Sequence, residues 1–120
     1  MQGAVRDCRA QASECASMLD SLSRSTEFWS IEPGNPGDCA PYIIGCTTHT
    51  PVPGHGPGGS ITIIPGEFGM VNWFMNSMSV VGHELGHALY DREPLCVFSE
   101  VCAINVERVV RRQAGLPPRP

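Results

Sequence analysis

The stretch VVGHELGHALYD, residues 80–91, sets two histidines four apart, His83 and His87, with Glu84 between them. Phe74, Met78, Val81, Leu85 and Leu89 recur at intervals of three and four, which defines one apolar face of a helix from about Val71 or Asn72 to Tyr90. Positions i and i+4 share a helix face. His83 and His87 can therefore turn imidazole nitrogens toward one point, as two ligands of a tetrahedral zinc ion must. Glu84 is rotated roughly a quarter-turn from His83, beside that point rather than on it. From there its carboxylate can take a proton from a water that zinc acidifies to a pKa of roughly 7, and then pass it to a leaving amine. Gly82 and Gly86 are small enough to let a sheet or loop come close to this helix.

This H-E-x-x-H spacing carries the chemistry of zinc-dependent hydrolysis. The competing reading, a core helix with two incidental histidines, leaves the intervening acid unexplained. A catalytic zinc also needs a third protein ligand and an open position for water. Glu93 lies six residues after His87, the metzincin spacing, but those proteins turn the chain with a glycine where this one has Tyr90. Glu100 and Glu107 are seven apart on a further helix, which runs from near Ser99 to a stop at Gly115. They share a face. One would bind zinc and the other would orient a histidine, or one or both make surface ion pairs with Arg111 or Arg108. His49 and His55 lie in a proline- and glycine-rich segment and are read either as solvated or as donors to an oxyanion. Tyr90 is read as a packing residue or a donor to the same intermediate.

The remainder predicts one small α+β domain of three helices with a small sheet. Val5, Cys8, Ala12, Cys15, Leu19 and Leu22 place one helix over residues 4–24. YIIGC reads as a short strand, and SITII, stopped by Pro65, as an edge strand able to pair with an extended substrate. The six cysteines, Cys8, Cys15, Cys39, Cys46, Cys96 and Cys102, form no C-x-x-C pair, so they read as three disulfides stapling a thin core. On one straight helix Cys8 and Cys15 would stand about 10 Å apart, too far to bridge; each is expected to reach a different segment. The net charge is −4 and all eight basic residues are arginine, with no basic stripe, which argues against nucleic-acid binding. No apolar run approaches membrane-spanning length, and MQGAVRDCRAQ lacks the apolar core of a signal peptide.

Beyond the motif, HELGHAL followed by SEVCAINVERVVRRQAGLPPRP resembles the secreted bacterial effector metallopeptidases related to NleD and the metallopeptidase domains that end polymorphic toxins. Glu100, Ala103, Glu107, Arg111, Gly115, Leu116, Pro117 and Arg119 match the tail pattern of that group. Arg108 replaces its usual asparagine, and Gln113 a frequent glutamate. GPGGSITIIPG is similar to the glycine-rich approach to its edge strand. The likeness covers residues 56–120. It implies a minimal zincin-like fold, a single Zn2+, peptide-bond hydrolysis, and an acid of the last helix as third ligand. Glu100 is favoured because related single-zinc families present that glutamate as E-x-x-A, with Glu107 the alternative. The expected set is then His83, His87 and Glu100 on zinc, with Glu84 as general base and acid. The expected partners are a protein or peptide substrate and an immunity protein. The expected setting is secretion or delivery into a target cell, and the cysteines suggest its periplasm. Two rivals remain: a non-catalytic binding module whose zinc is closed by a fourth ligand such as His49, His55 or a second glutamate, and a disulfide-stapled interaction domain with no metal.

Overall fold

The computed structural model describes residues 2–40, 43–54, 56–64, 77–96 and 100–119. Its elements run α1 (Gln2–Gln11), α2 (Ser13–Arg24), β1 (Trp29–Pro33), β2 (Gly45–His49), β3 (Gly59–Ile63), α3 (Ser77–Tyr90) and α4 (Val101–Gln113). This is an α+β fold stapled by three disulfides. The expected start of the motif helix near Val71 and its Phe74, the Ser99 start of the last helix, the Pro65 stop and His55 all lie outside the described residues.

Helix α3 is the centre of the fold. It packs against α1, α2 and α4 and against β2 and β3. Val80, Val81, Leu85 and Ala88 are buried, and so are Gly82 and Gly86. The expected apolar face therefore exists, but burial extends almost all round the helix. The neighbour that needs the two glycines is a helix rather than the expected sheet or loop. A Cβ on Gly82 would sit 2.8 Å from Val110 Cγ2, and one on Gly86 would sit 3.1 Å from the Ala103 Cα. Removing both side chains lets α4 lie directly on the turn that bears His83 and His87.

Four helices are seen among the described residues where three are expected, because the 4–24 segment is broken. Ala12 is extended at φ −134° and ψ 114°. Its N–H still closes α1 on the Cys8 carbonyl, while its own carbonyl accepts from Ala16 to open α2. One non-helical residue thus redirects the chain, and Cys8 and Cys15 meet with their Cα atoms 5.7 Å apart and bond to each other. The expectation that each reaches a distant segment is overturned: the straight-helix distance never applied. Cys39–Cys46 and Cys96–Cys102 are equally local, seven and six residues apart. Gln113 of α4 then satisfies an orphan N–H of the second helix, accepting from Glu14 at 2.8 Å.

The sheet is mixed, in the order β1-β3-β2. Strand β3 carries the SITI of the expected edge strand but sits in the middle, parallel to β1 and antiparallel to β2. The edge assignment fails because WSIEP supplies a strand of its own, with only Trp29 and Ile31 marking the period of two. The YIIGC strand is displaced: β2 begins at Gly45 and runs on through two threonines to His49. Along β3, Ile61 and Ile63 point into the core. Ile64 N–H donates to Ile44 O and Thr50 N–H to Gly58 O, each at 2.8 Å. This phase aims the backbone groups of the even residues of β2 at β3 and turns those of Gly45, Thr47 and His49 to its outer edge, which no described strand covers.

The tail is held in the same way as the expected stop. Gly115 is left-handed at φ 71°, and Leu116 N–H donates back to Arg111 O at 2.8 Å, a glycine-ended helix cap.

Two outcomes follow. Thiol titration under denaturing, non-reducing conditions should find no free cysteine, and peptide mapping should recover the 8–15, 39–46 and 96–102 pairs. Gly82→Val should cost about 1–3 kcal/mol of stability through overpacking against Val110; an unchanged thermal midpoint would contradict the close helix contact.

Candidate metal centre

One cleft of about 500 Å³ gathers residues from β2, α3, α4 and the tail. Its lining includes Gly45, Thr47, His83, Glu84, His87, Asp91, Glu100 and Arg119. His83, Glu84 and His87 bring one donor atom each within 4.8 Å of one another, a group able to hold a metal ion. The two imidazoles meet edge to face with centroids 5.0 Å apart, and their side chains are only 12% and 14% exposed.

Each ring is fixed from behind by a carboxylate. Glu107 Oε1 lies 2.9 Å from His83 Nδ1, and Asp91 Oδ1 lies 2.8 Å from His87 Nδ1. An ionised carboxylate only accepts, so each Nδ1 carries the proton and donates it. That leaves both Nε2 atoms facing the cleft. There they meet a third carboxylate: Glu100 Oε2 is 2.8 Å from His83 Nε2, and Glu100 Oε1 is 3.1 Å from His87 Nε2. Nitrogen lone pairs and an anionic carboxylate repel at this range unless positive charge lies among them. Burial pulls the His83 pKa down, but the Glu107 hydrogen bond and the charges of Glu84, Glu100 and Glu107 outweigh it and raise the ring above its usual 6.5. The donors are imidazole nitrogen and carboxylate oxygen, the set that suits a divalent ion such as zinc.

Two acids therefore stand near the imidazole nitrogens, Glu84 and Glu100, and their surroundings differ. Glu84 is buried against β2, where a Cβ on Gly45 would lie 3.3 Å from its Cγ. Its Oε1 is 2.9 Å from Thr47 Oγ1, which is also 3.1 Å from the Glu84 carbonyl oxygen. Burial raises its pKa above 4.5, against the pull of His83, the Thr47 hydroxyl and His87. Such a group holds a proton more readily than a solvated carboxyl does. Glu100 is mostly exposed, has no hydrogen-bond partner besides the two rings among those described, and stands at the N-cap of α4.

Glu107 is the hub behind the site. It is fully buried, and its Oε2 accepts from Arg111 Nε at 2.7 Å. Its Oε1 also accepts from Arg119 Nη1. Arg111 is itself buried, and reaches Ser79 Oγ at 3.3 Å and the Pro117 carbonyl at 3.1 Å. Glu107 thus makes the ion pair with Arg111 and the contact to His83 together, and the pair is buried rather than on the surface. Burial raises the Glu107 carboxyl, but His83, Arg111 and Arg119 together hold it below its ordinary 4.5.

The other candidates fall away from the cleft. His49 Nε2 lies 3.1 Å from Asp91 Oδ2, and its ring stands edge-on to Trp29. It braces the acid behind His87 and does not line the cleft. Tyr90 packs against the core. Glu93 caps the exit turn of α3, its N–H donating to Tyr90 O at 2.9 Å. Asp91 was missed by sequence reasoning, although it lies four residues after His87 on the same helix face.

Comparison with protein-family models, with curated proteins and with solved structures finds no match.

Replacing Glu107 by glutamine should cost about 3–5 kcal/mol at pH 7, because it breaks the buried ion pair with Arg111. A carboxyl held below its ordinary value contributes stability that is complete above that value and disappears as pH falls through the folded one. In chelator-treated protein the gap between wild type and Glu107→Gln should therefore close as pH drops below 4.5. Urea titrations across pH 3–7 would show this; a gap that did not vary with pH would remove the charge argument.

Proposed function

We propose that this chain is a single-zinc peptidase. The observation that carries the reading is the convergence of His83 Nε2 and His87 Nε2 on the Glu100 carboxylate, with both Nδ1 atoms held by buried or half-buried acids. His83, His87 and Glu100 would hold the ion; the contact of Glu100 with both Nε2 atoms supports it over Glu107 as third ligand. Zinc in such a site supplies Lewis acidity that makes water nucleophilic near neutral pH. Glu84 takes a proton from the attacking water on its carboxylate and returns it to the departing amine. Thr47 keeps that carboxylate turned toward the cleft. Glu107 and Asp91 hold the imidazoles in one tautomer and one orientation.

The substrate is a polypeptide bound in extended form along β2. Gly45 and Thr47 border the cleft, and their outward backbone groups have no partner among the described residues, so a paired strand would pass its peptide bonds over the histidines. Strand β3, first expected in this role, has both edges taken. The likeness to effector and toxin metallopeptidases extends the reading to a protein delivered into another cell and checked by an immunity partner. The three disulfides fit a destination that is oxidising. No helix among the described residues is long and apolar enough to cross a membrane.

One observation favours a second reading, a closed structural zinc in a binding module: Glu84 also offers an oxygen to the metal-holding group. Glu84→Gln separates the two. In a peptidase it retains one equivalent of zinc in untagged protein while cleavage of a peptide library falls by about 10²–10⁴. In a closed site, Glu84 is a ligand and the variant loses zinc. Unchanged cleavage in Glu84→Gln, or wild type that binds no zinc, would end the peptidase reading.

A further inference from the structure

Glu100 poses a positioning problem. It is 63% exposed, so packing does not hold its side chain, yet both carboxylate oxygens meet the two rings. From its C-terminal side it is held by α4, whose first hydrogen bond runs from Ile104 N–H to Glu100 O at 2.9 Å. From its N-terminal side the chain comes out of the α3 exit turn, which carries Asp91 and ends at Cys96, whose N–H donates to Glu93 O at 2.9 Å. Cys96 and Cys102 flank Glu100 and are joined with their Cα atoms 5.7 Å apart. Unbridged, six residues can span about 20 Å.

We infer that the Cys96–Cys102 disulfide is a positioning element of the metal centre, closing a short ring that presents the Glu100 carboxylate to His83 and His87. The bond joins the two segments that carry the site: the exit turn of α3, whose Asp91 orients His87, and the first turn of α4. Cys8–Cys15 closes a ring only one residue larger but joins α1 to α2, and none of its residues borders the cleft. The inference rests on the zinc reading above and adds a consequence to it. The site assembles with full affinity only where this bond forms, so a chain in a reducing cytosol is held in a weak-binding state. Opening the ring consumes two electrons and two protons, supplied by two glutathione thiols that leave as one oxidised glutathione.

The test is zinc affinity of the full chain, measured by competition with a chromophoric chelator. Cys96→Ala with Cys102→Ala should weaken zinc binding tenfold or more, the scale seen when support for a ligand is removed. Cys8→Ala with Cys15→Ala should leave affinity within about twofold, a change of under ~0.5 kcal/mol. In a Glu100→Gln background, opening the 96–102 ring should cost nothing further, because the ring acts through that carboxylate. Equal loss with and without Glu100 would overturn the inference, as would unchanged affinity in the ring-open variant. A second measurement needs no variant. Coupling is reciprocal, so saturating zinc should shift the 96–102 pair about tenfold toward its oxidised form in a glutathione buffer and leave 8–15 unmoved. No shift, or one toward the thiols, would overturn it. Wild type with no zinc affinity at all would instead strike down the peptidase reading on which this rests.

Discussion

The structure depends on how near α4 can come to α3. Val110 and Ala103 occupy the space that side chains at 82 and 86 would fill. This contact sets the relation between the two imidazoles on α3 and the acids Glu100 and Glu107 on α4. An added methylene at the contact would push the helices apart by tenths of an ångström. Separations of 2.8–2.9 Å between the His83 ring and those acids leave no slack for that.

The same contact encloses an expensive set of charges. Glu107 and Arg111 are buried, and a buried ion pair gains little over apolar packing when measured by stability alone. Its value here is geometric. Glu107 is gripped by Arg111 and Arg119 while accepting from His83, so its carboxylate has one available position and the ring has one available tautomer. Arg111 extends that order to the tail through Pro117 and to the first turn of α3 through Ser79. Asp91 serves His87 more loosely, at the surface, with His49 of β2 holding its second oxygen. Behind that, Glu27 accepts from Trp29 Nε1 and from Arg92, which ties the α3 exit turn to β1.

Around this centre the fold does what a small domain must. The sheet covers one side of α3 with Ile61 and Ile63, and α1 and α2 cover another with Cys8, Ala12, Cys15 and Met18. Three short disulfide rings fix local turns rather than distant segments. Two of them lie at the cleft: Cys46 lines it, and the 96–102 ring contains Glu100. Among the described residues no strand pairs with the outer edge of β2 beside the same cleft, so that edge, the buried Glu84 and the group able to hold a metal lie in one place.

The sequence alone determined the helical turn that joins His83, Glu84 and His87, since a spacing of four is a property of any α-helix. It determined the glycine stop of α4 and the α+β class, because these follow from local propensity and period. It placed Glu100 and Glu107 on one face but could not divide their roles, because that division depends on which one packing carries inward. Only tertiary structure separates their surroundings: Glu107 lies buried against Arg111, and Glu100 lies exposed at the start of the helix. Asp91 escaped notice because a lone acid after a helix carries no signal until His49 arrives from a strand 42 residues earlier. The pairing of Cys8 with Cys15 was misread for a related reason. One extended residue at Ala12 has no side-chain signature, since its cause is the surface that the two helices must bury together.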